Sequence, residues 1–426
     1  MGEQNPPVFG VVGLGEVGLP LALRVAESGY DVVGVDIDEE RIRSLKSGES
    51  YIIDIPSSDV QATVDDGVTV TTEYERLSDA THIALCVPTP LQKSGQPDIS
   101  YIVAAVDELV EVISPETTVI IESTVYPGAT ENLIREIVTD AGFTVGEDIY
   151  LASSPERIDP GNEQYDLEDI PKVVGGVTAS CQAQTERLYE DIFQTVVSVN
   201  SATEAEMTKI LENTFRNVNI ALVNELVKVA DNFGIDFWNV IEAAKTKPYG
   251  FMPFYPGPGL GGHCIPVDPI YLSWRARQNG IDTPLVDLAD RTNREMPEYI
   301  VRRLTEVLNE RGIALSESRI LILGVAYKSG VPDTRKSPAI DIIDGLEKSQ
   351  ASITYHDPYV PRLNVNDVGP YTSVELTDDL LASVDCTLIV TNHPEIEIET
   401  IVDRSSLIFD TRNATANYDA DNIYRL

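Results

Sequence analysis

Residues 8 to 38, VFGVVGLGEVGLPLALRVAESGYDVVGVDID, run as an apolar stretch, a glycine-rich turn, an amphipathic stretch and a second apolar stretch ending at Asp36. That alternation predicts a strand, helix and strand. Apolar strand-like runs recur at HIALCVP, TTVIIESTV and IYLASSPE, separated by helical periodicity over 100–113 and 128–141. The pattern is that of a parallel, doubly wound sheet and ends near residue 198. From about 202 to 245 the periodicity is helical without strand signals, and helical again from about 283 to 311. A glycine- and proline-rich segment, GPGLGGHCIPVDP, lies between these stretches. Such helices serve as a spacer or as a subunit interface, and burial of one face against a twin favours the interface. Strand, loop, helix and strand return over 318–358, followed by CTLIVTN and SSLIFDT. The fold class expected is α/β: Rossmann-like doubly wound domains at 1–198 and 315–426, joined by a central helical dimerisation domain at 199–311.

Composition narrows the functional classes. The 426 residues suit two or three domains, and the apolar content of 42% is that of a globular protein. No apolar run approaches the roughly 20 residues needed to cross a bilayer. The first residues, MGEQNPPVFG, lack a basic and then apolar leader, so the expectation is a cytoplasmic protein that does not bind membrane. With 31 basic against 69 acidic residues the net charge is −38, which disfavours nucleic acid. The acid is spread along the whole chain, as expected of a hydrated surface working in a salt-rich cytoplasm. Four cysteines and four histidines are scattered without metal-ligand spacing, so neither a metal site nor a disulfide framework is expected.

Gly13, Gly15 and Gly18 form GxGxxG between a strand and a helix, with Asp36 at the end of the next strand. Glycine lets backbone approach a pyrophosphate, the helix start offers N–H donors, and the acid accepts from a ribose 2′-hydroxyl while repelling a 2′-phosphate. NAD is the cofactor expected. The second α/β domain, 315–426, lacks this motif at its first turn. Cys264 sits beside Gly261, Gly262 and His263, with Asp268 four residues on. Local sequence leaves nucleophile and inert thiol both open. Cys86, Cys181 and Cys386 lie in apolar or helical runs and read as core or inert positions. Lys209 and Asn213 are one helical turn apart and share a face. Lys328 and Arg335 supply local positive charge for an anionic ligand in an acidic chain.

Taken together, GLGEVGLPLA, STVYPGAT, SPERIDPGN, KILENTFRNVNIALVNEL, GPGLGGHCIPVDP and GVAYKSGVPDTRKSPA resemble the UDP-glucose/GDP-mannose dehydrogenase family in order and spacing. The resemblance implies oxidation of the C6 alcohol of a UDP-sugar to a carboxylate with two NAD. A thiolate at Cys264 would carry thiohemiacetal and thioester intermediates. It further implies that Lys209 stabilises the alkoxide with Asn213 as partner. Asp268 and Thr124 would order water or assist proton transfer, and Glu156 would be the base for thioester hydrolysis. Thr89, Thr124 and Arg335 are expected near the cofactor. Arg157, Gly261 and Lys328 are expected near the substrate, with Glu156, Lys209 and Asn213. Pro160 four residues after Glu156, and GGHC in place of GGSC, point to the N-acetylhexosamine branch, with UDP-N-acetylglucosamine favoured over UDP-N-acetylmannosamine. UDP-glucose, a two-electron dehydrogenase and a silent sensor are the alternatives. Asn217, standing where the family often has aspartate, receives no role, and that of His263 stays open. A homo-oligomer, dimer or higher, is expected.

Overall fold

The computed structural model describes residues 7–52, 54–158, 165, 169–365 and 369–426, so Pro160 lies outside the described residues. By backbone proximity the chain forms two compact units, Met1–Glu212 with Ile270–Ile281, and Asn213–Pro269 with Asp282–Leu426.

The first unit is built on strands β1 Val8–Val12, β2 Asp31–Val35, β3 Thr69–Thr71, β4 His82–Leu85, β5 Thr118–Ile121, β6 Tyr150–Ser153, β7 Lys172–Gly176 and β8 Val196–Ser198. They lie in the order β3-β2-β1-β4-β5-β6-β7-β8. All neighbours run parallel except β6 and β7. Every residue of β5 is buried, as expected for a central strand covered on both faces. Helix Gly18–Glu27 buries Leu21, Ala22 and Val25 against this sheet, the i, i+4 stripe that the sequence shows. The core joins Phe9, Val11, Leu21, Val25, Ile120, Val174 and Tyr189.

The second unit contains strands β9 Arg319–Leu323, β10 Ser352–His356, β11 Arg362–Val365, β12 Gly369–Thr372, β13 Cys386–Ile389, β14 Ile408–Asp410 and β15 Ile423–Arg425. Five of these form a parallel sheet in the order β10-β9-β13-β14-β15, and β11 pairs antiparallel with β12. Helix Met296–Glu310 contributes Ile300, Leu304 and Leu308 to a core shared with Ile320, Leu346, Leu388 and Phe409.

Three predicted helices differ in detail. The stretch 128–141 opens with a wide turn in which the Ile134 N–H reaches the Ala129 carbonyl, 3.1 Å. The stretch 202–245 becomes Ala202–Asn232 and Phe237–Lys245, separated at Gly234 (φ 68°) and restarted by the Asp236 side chain accepting from the Asn239 amide. The stretch 283–311 becomes Pro284–Arg294 and Met296–Glu310, because Pro297 has no N–H to continue the ladder. Strands β3, β7, β8, β11, β12 and β15 are additions to the sequence reading. They are short, and β7 ends in two glycines.

One device recurs in both units. Asp36, following β2, accepts the Leu14 N–H on Oδ2 (2.8 Å) and the Asp38 N–H on Oδ1 (2.9 Å), so it closes the turn after β1. Asp357, following β10, accepts Val325 and Ala326 amides on Oδ2 (2.7 and 3.0 Å) and Tyr359 and Val360 amides on Oδ1 (2.9 and 3.0 Å). His393 Nε2 also lies 3.1 Å from Asp357 Oδ2, and its Nδ1 accepts the Gly330 N–H.

The long helix Ala202–Asn232 has two unlike faces. Leu211, Phe215, Leu222, Leu226 and Val229 are exposed at helical spacing and lead on to Phe233, 70% exposed. Among the described residues no helix is long and apolar enough to cross a membrane.

His82 opens β4 between the rings of Phe9 and Tyr30, and burial pushes its pKa down from 6.5 to about 4. The unfolded chain therefore takes up a proton near pH 6.5 that the native protein refuses until about pH 4. Stability should fall as pH drops through this window, by at most about 3 kcal/mol from this group. Replacing His82→Phe should flatten that part of the melting profile; an unaltered pH dependence of Tm would contradict the assignment.

Candidate active site

Within the first unit, Gly13 adopts φ 88°, and a Cβ there would stand 2.7 Å from the Cys86 carbonyl oxygen. A Cβ at Gly18 would stand 1.8 Å from the Gly13 oxygen, so the turn closes only with glycine at both positions. At Gly15 the nearest atom to such a Cβ would be Arg41 Nη1 at 3.9 Å, which leaves the middle of the turn open on the side where a phosphate approaches. The Asp36 Oδ1 accepts one described amide and keeps capacity for a ribose hydroxyl, while Arg41 Nη1 lies 3.2 Å from Oδ2. The residues present fit a dinucleotide.

Thr89 and Thr124, both partly exposed, follow β4 and β5. The Ser123 hydroxyl lies within reach of the Leu85 and Val87 carbonyls (3.1 and 2.7 Å), which joins these two loops. Tyr271 adds a second tie, its hydroxyl donating to the Thr89 carbonyl at 3.0 Å. The loop after Thr124 is held to the long helix by buried Glu206, which accepts the Gly128 and Thr130 amides at 2.5 and 2.9 Å.

Lys209 is 9% exposed and Glu156 3% exposed. Glu156 Oε2 accepts from Lys172 at 2.8 Å, and Oε1 accepts the Arg157 and Ile158 amides at 2.6 and 2.9 Å. Burial alone would raise its pKa, but Lys172, the Arg157 amide and Lys209 outweigh burial and hold it below the ordinary carboxylate range. Arg157 grips Glu212 through two nitrogens (3.1 and 2.6 Å) and the Pro171 carbonyl through a third (2.8 Å). The first unit thus gathers Glu156, Arg157 and Lys209 in one neighbourhood.

Cys264 lies in the second unit and differs from the thiols of Cys86, Cys181 and Cys386. Those three are buried, whereas Cys264 is partly exposed. Its carbonyl accepts the Val267 and Asp268 amides (3.0 and 2.9 Å), a tight turn into helix Asp268–Gln278. Asp268, 3% exposed, accepts from Asn213 Nδ2 at 2.6 Å, so two of the expected residues meet directly. Gly262 (φ 80°) donates its N–H to the Arg335 carbonyl at 2.8 Å, which joins the cysteine loop to the loop carrying Lys328 and Arg335. The Gly261 position is crowded: a Cβ there would lie 2.4 Å from the Tyr327 Cβ. The Arg335 guanidinium is paired with Asp333, nearest contact 2.6 Å, and His263 is exposed.

Three buried asparagines that sequence reading passed over hold this loop. Asn224 Oδ1 accepts the Gly257 N–H (3.0 Å), and its Nδ2 donates to Asn293 Oδ1 (2.9 Å). Asn293 Nδ2 donates to the Asn217 carbonyl (3.1 Å), and Asn217 Nδ2 donates to the Ile265 carbonyl (3.2 Å). The residue given no role therefore binds the backbone next to Cys264. A signal was present: Lys209, Asn213, Asn217 and Asn224 recur at helical spacing along one face. Among the described residues no group of three or more His, Cys, Asp or Glu side chains is disposed to hold a metal ion.

Three domain profiles of one family match the chain. They are the NAD binding domain over residues 8–193, the central domain over 203–295 and the UDP binding domain over 321–417. A UDP-N-acetyl-D-mannosamine dehydrogenase of Pyrococcus horikoshii is 38% identical over 390 residues, spanning 91% of this chain and 90% of the relative. A UDP-N-acetyl-D-glucosamine 6-dehydrogenase of Salmonella typhi is 33% identical over 393 residues, spanning 91% and 90%. The solved structure of a UDP-D-ManNAc dehydrogenase from Pyrococcus horikoshii superposes with a TM-score of 0.88 at 34% identity, covering 98% of both chains. The α/β units, the glycine turn with its acid and these matches together place the chain in the UDP-glucose/GDP-mannose dehydrogenase family, NAD-dependent oxidoreductases acting on UDP-sugars.

Proposed function

We propose that this enzyme oxidises the C6 alcohol of a UDP-N-acetylhexosamine to the uronate, with UDP-N-acetylglucosamine as the preferred sugar, through a covalent bond to Cys264. The observation that carries the reading is the state of that thiol: partly exposed, in a loop fixed by backbone and asparagine hydrogen bonds, while the other three thiols are buried. The names of the relatives support the N-acetylhexosamine class. Higher identity to the mannosamine enzyme favours UDP-N-acetylmannosamine as the second reading.

The glycine turn and Asp36 would hold NAD, which would supply the hydride acceptor for two oxidations, so that alcohol, water and two NAD give carboxylate, two NADH and three protons. The first oxidation leaves an aldehyde. The Cys264 thiolate adds to its carbon, giving a thiohemiacetal that bears a second transferable hydrogen. Loss of that hydride leaves a thioester, and water then displaces the sulfur to give acid and free thiol. Lys209, a cation in a water-poor setting, stabilises the oxyanion at each stage. Asn213 partners Lys209 in that task, Asp268 orders water, Thr124 assists proton transfer and Glu156 draws a proton from the hydrolytic water. Thr89 and Arg335 border the cofactor, and Arg157, Gly261 and Lys328 border the sugar nucleotide.

The exposed apolar face of the long helix supports a homodimer built on it, and the net charge supports work in a salt-rich cytoplasm.

The wild type should yield two NADH per sugar, and Cys264→Ser should lose acid formation while still binding NAD. One NADH per sugar in the wild type, or full uronate yield from the serine variant, would rule out the thioester route. A panel of UDP-glucose and the UDP-N-acetyl derivatives of glucosamine, mannosamine and galactosamine, read by NADH, should give the highest kcat/KM with the glucosamine sugar; a tenfold preference for the manno sugar would establish the second reading. Light scattering in low and in molar KCl should show a dimer that Leu222→Glu with Leu226→Glu converts to monomer, with a wild-type Tm that rises with salt. An unchanged mass in the variant or a salt-independent Tm would remove the respective proposal.

A further inference from the structure

The proposed chemistry uses one member, Glu156, of a buried ionic cluster of the first unit and gives the others no task. Lys172, first residue of β7 and 2% exposed, donates to Glu122 Oε2 at 2.6 Å and to Glu156 Oε2 at 2.8 Å. The Tyr189 hydroxyl donates to the other oxygen of Glu122. The Lys172 ammonium also lies over the rings of Phe193 and Tyr189, 5.2 and 5.7 Å from their centroids. Isolated charges are costly to bury, and here one cation serves two carboxylates. If both were ionised the cluster would carry a net negative charge in the core. A single extra proton removes it.

The donors decide where that proton sits. Glu156 accepts from Lys172 and from two backbone amides, three donors that cannot move away, whereas Glu122 accepts from Lys172 and Tyr189. We propose that Lys172 is a positioning residue for Glu156: it locks one oxygen while the amides of 157 and 158 lock the other, and Glu122, backed by Tyr189, holds the compensating proton. Glu156 is then a fixed anion whose readiness to take a proton is set from behind by Lys172. Burial pushes Glu122 up against the pull of Lys172, in keeping with this division. The groups acting on Glu156 are Lys172 from β7, Glu122 after β5, Lys209 on the long helix and Arg157 beside it, while Tyr189 and Cys86 register its charge.

The inference rests on the reading above in one respect, that Glu156 takes part in thioester hydrolysis. The test follows the rate of acid release against pH in single turnovers, with the enzyme-bound thioester counted by intact mass. In Lys172→Met the acidic limb should move to higher pH by about one unit or more, because Glu156 loses its cation. Thioester should accumulate on Cys264 with KM for the sugar unaltered, and Lys172→Arg should restore most of the rate. Glu122→Gln, a neutral and nearly isosteric stand-in for the protonated acid that spares the Lys172–Glu156 pair, should leave the limb where the wild type has it, which keeps the inference open to test if the methionine variant does not fold. A limb that stays in place in Lys172→Met, or one that moves to lower pH by about one unit or more in Glu122→Gln, overturns the inference. The wild type's two NADH per sugar would leave the four-electron reading intact in that case; one NADH per sugar overturns that reading, and the inference falls with it.

Discussion

The cysteine loop is a glycine- and proline-rich segment with little regular structure of its own, and its shape depends on buried amide hydrogen bonds. Asn224 grips it at Gly257, Asn217 grips it at Ile265, and Asn293 joins the two. Each such bond contributes about 1 kcal/mol net, but an orphaned buried amide costs about 1–3 kcal/mol, so the set resists partial loss. The nucleophile proposed for this loop must attack from one direction and so needs this rigidity, which glycine backbone alone would not provide.

The electrostatics follow the same economy. A chain of net charge −38 that binds anionic ligands must place each cation where repulsion from the rest of the protein is locally overcome. Lys172 is fixed between two carboxylates, and Lys209 sits on a buried helix face whose charge is felt by Glu156. Arg157 and Arg335 are tied to Glu212 and Asp333. Positive charge is thus held in fixed positions by acid, and is spread thinly elsewhere.

The parts of this arrangement that are local in sequence could be read from it. GxGxxG with Asp36, the apolar strands and the Cys264 loop each announce themselves within a few dozen residues, because backbone conformation and alternation are short-range properties. The ties that position them are long-range. Asn217 and Asn293 stand 76 residues apart and Glu122 and Lys172 stand 50 apart, and each alone is an ordinary polar residue. Asn217 stands where the family often has aspartate, yet what it needs to do is donate to a carbonyl, and an amide donates where a carboxylate does not. The antiparallel β6–β7 step was also hidden, since β7 reads as a short apolar run ending in glycines and carries no sign of direction.

The acid that closes the first turn in each sheet has been put to different ends. Asp36 spends one amide on each oxygen, with an arginine beside it, and retains a lone pair that a sugar diol can occupy. In Asp357 four amides and an imidazole saturate the carboxylate. The second sheet has thereby exchanged the capacity to recognise an adenosine ribose for a rigid crossover, and a nucleotide held there must be gripped by side chains of its loops in place of the strand-end acid.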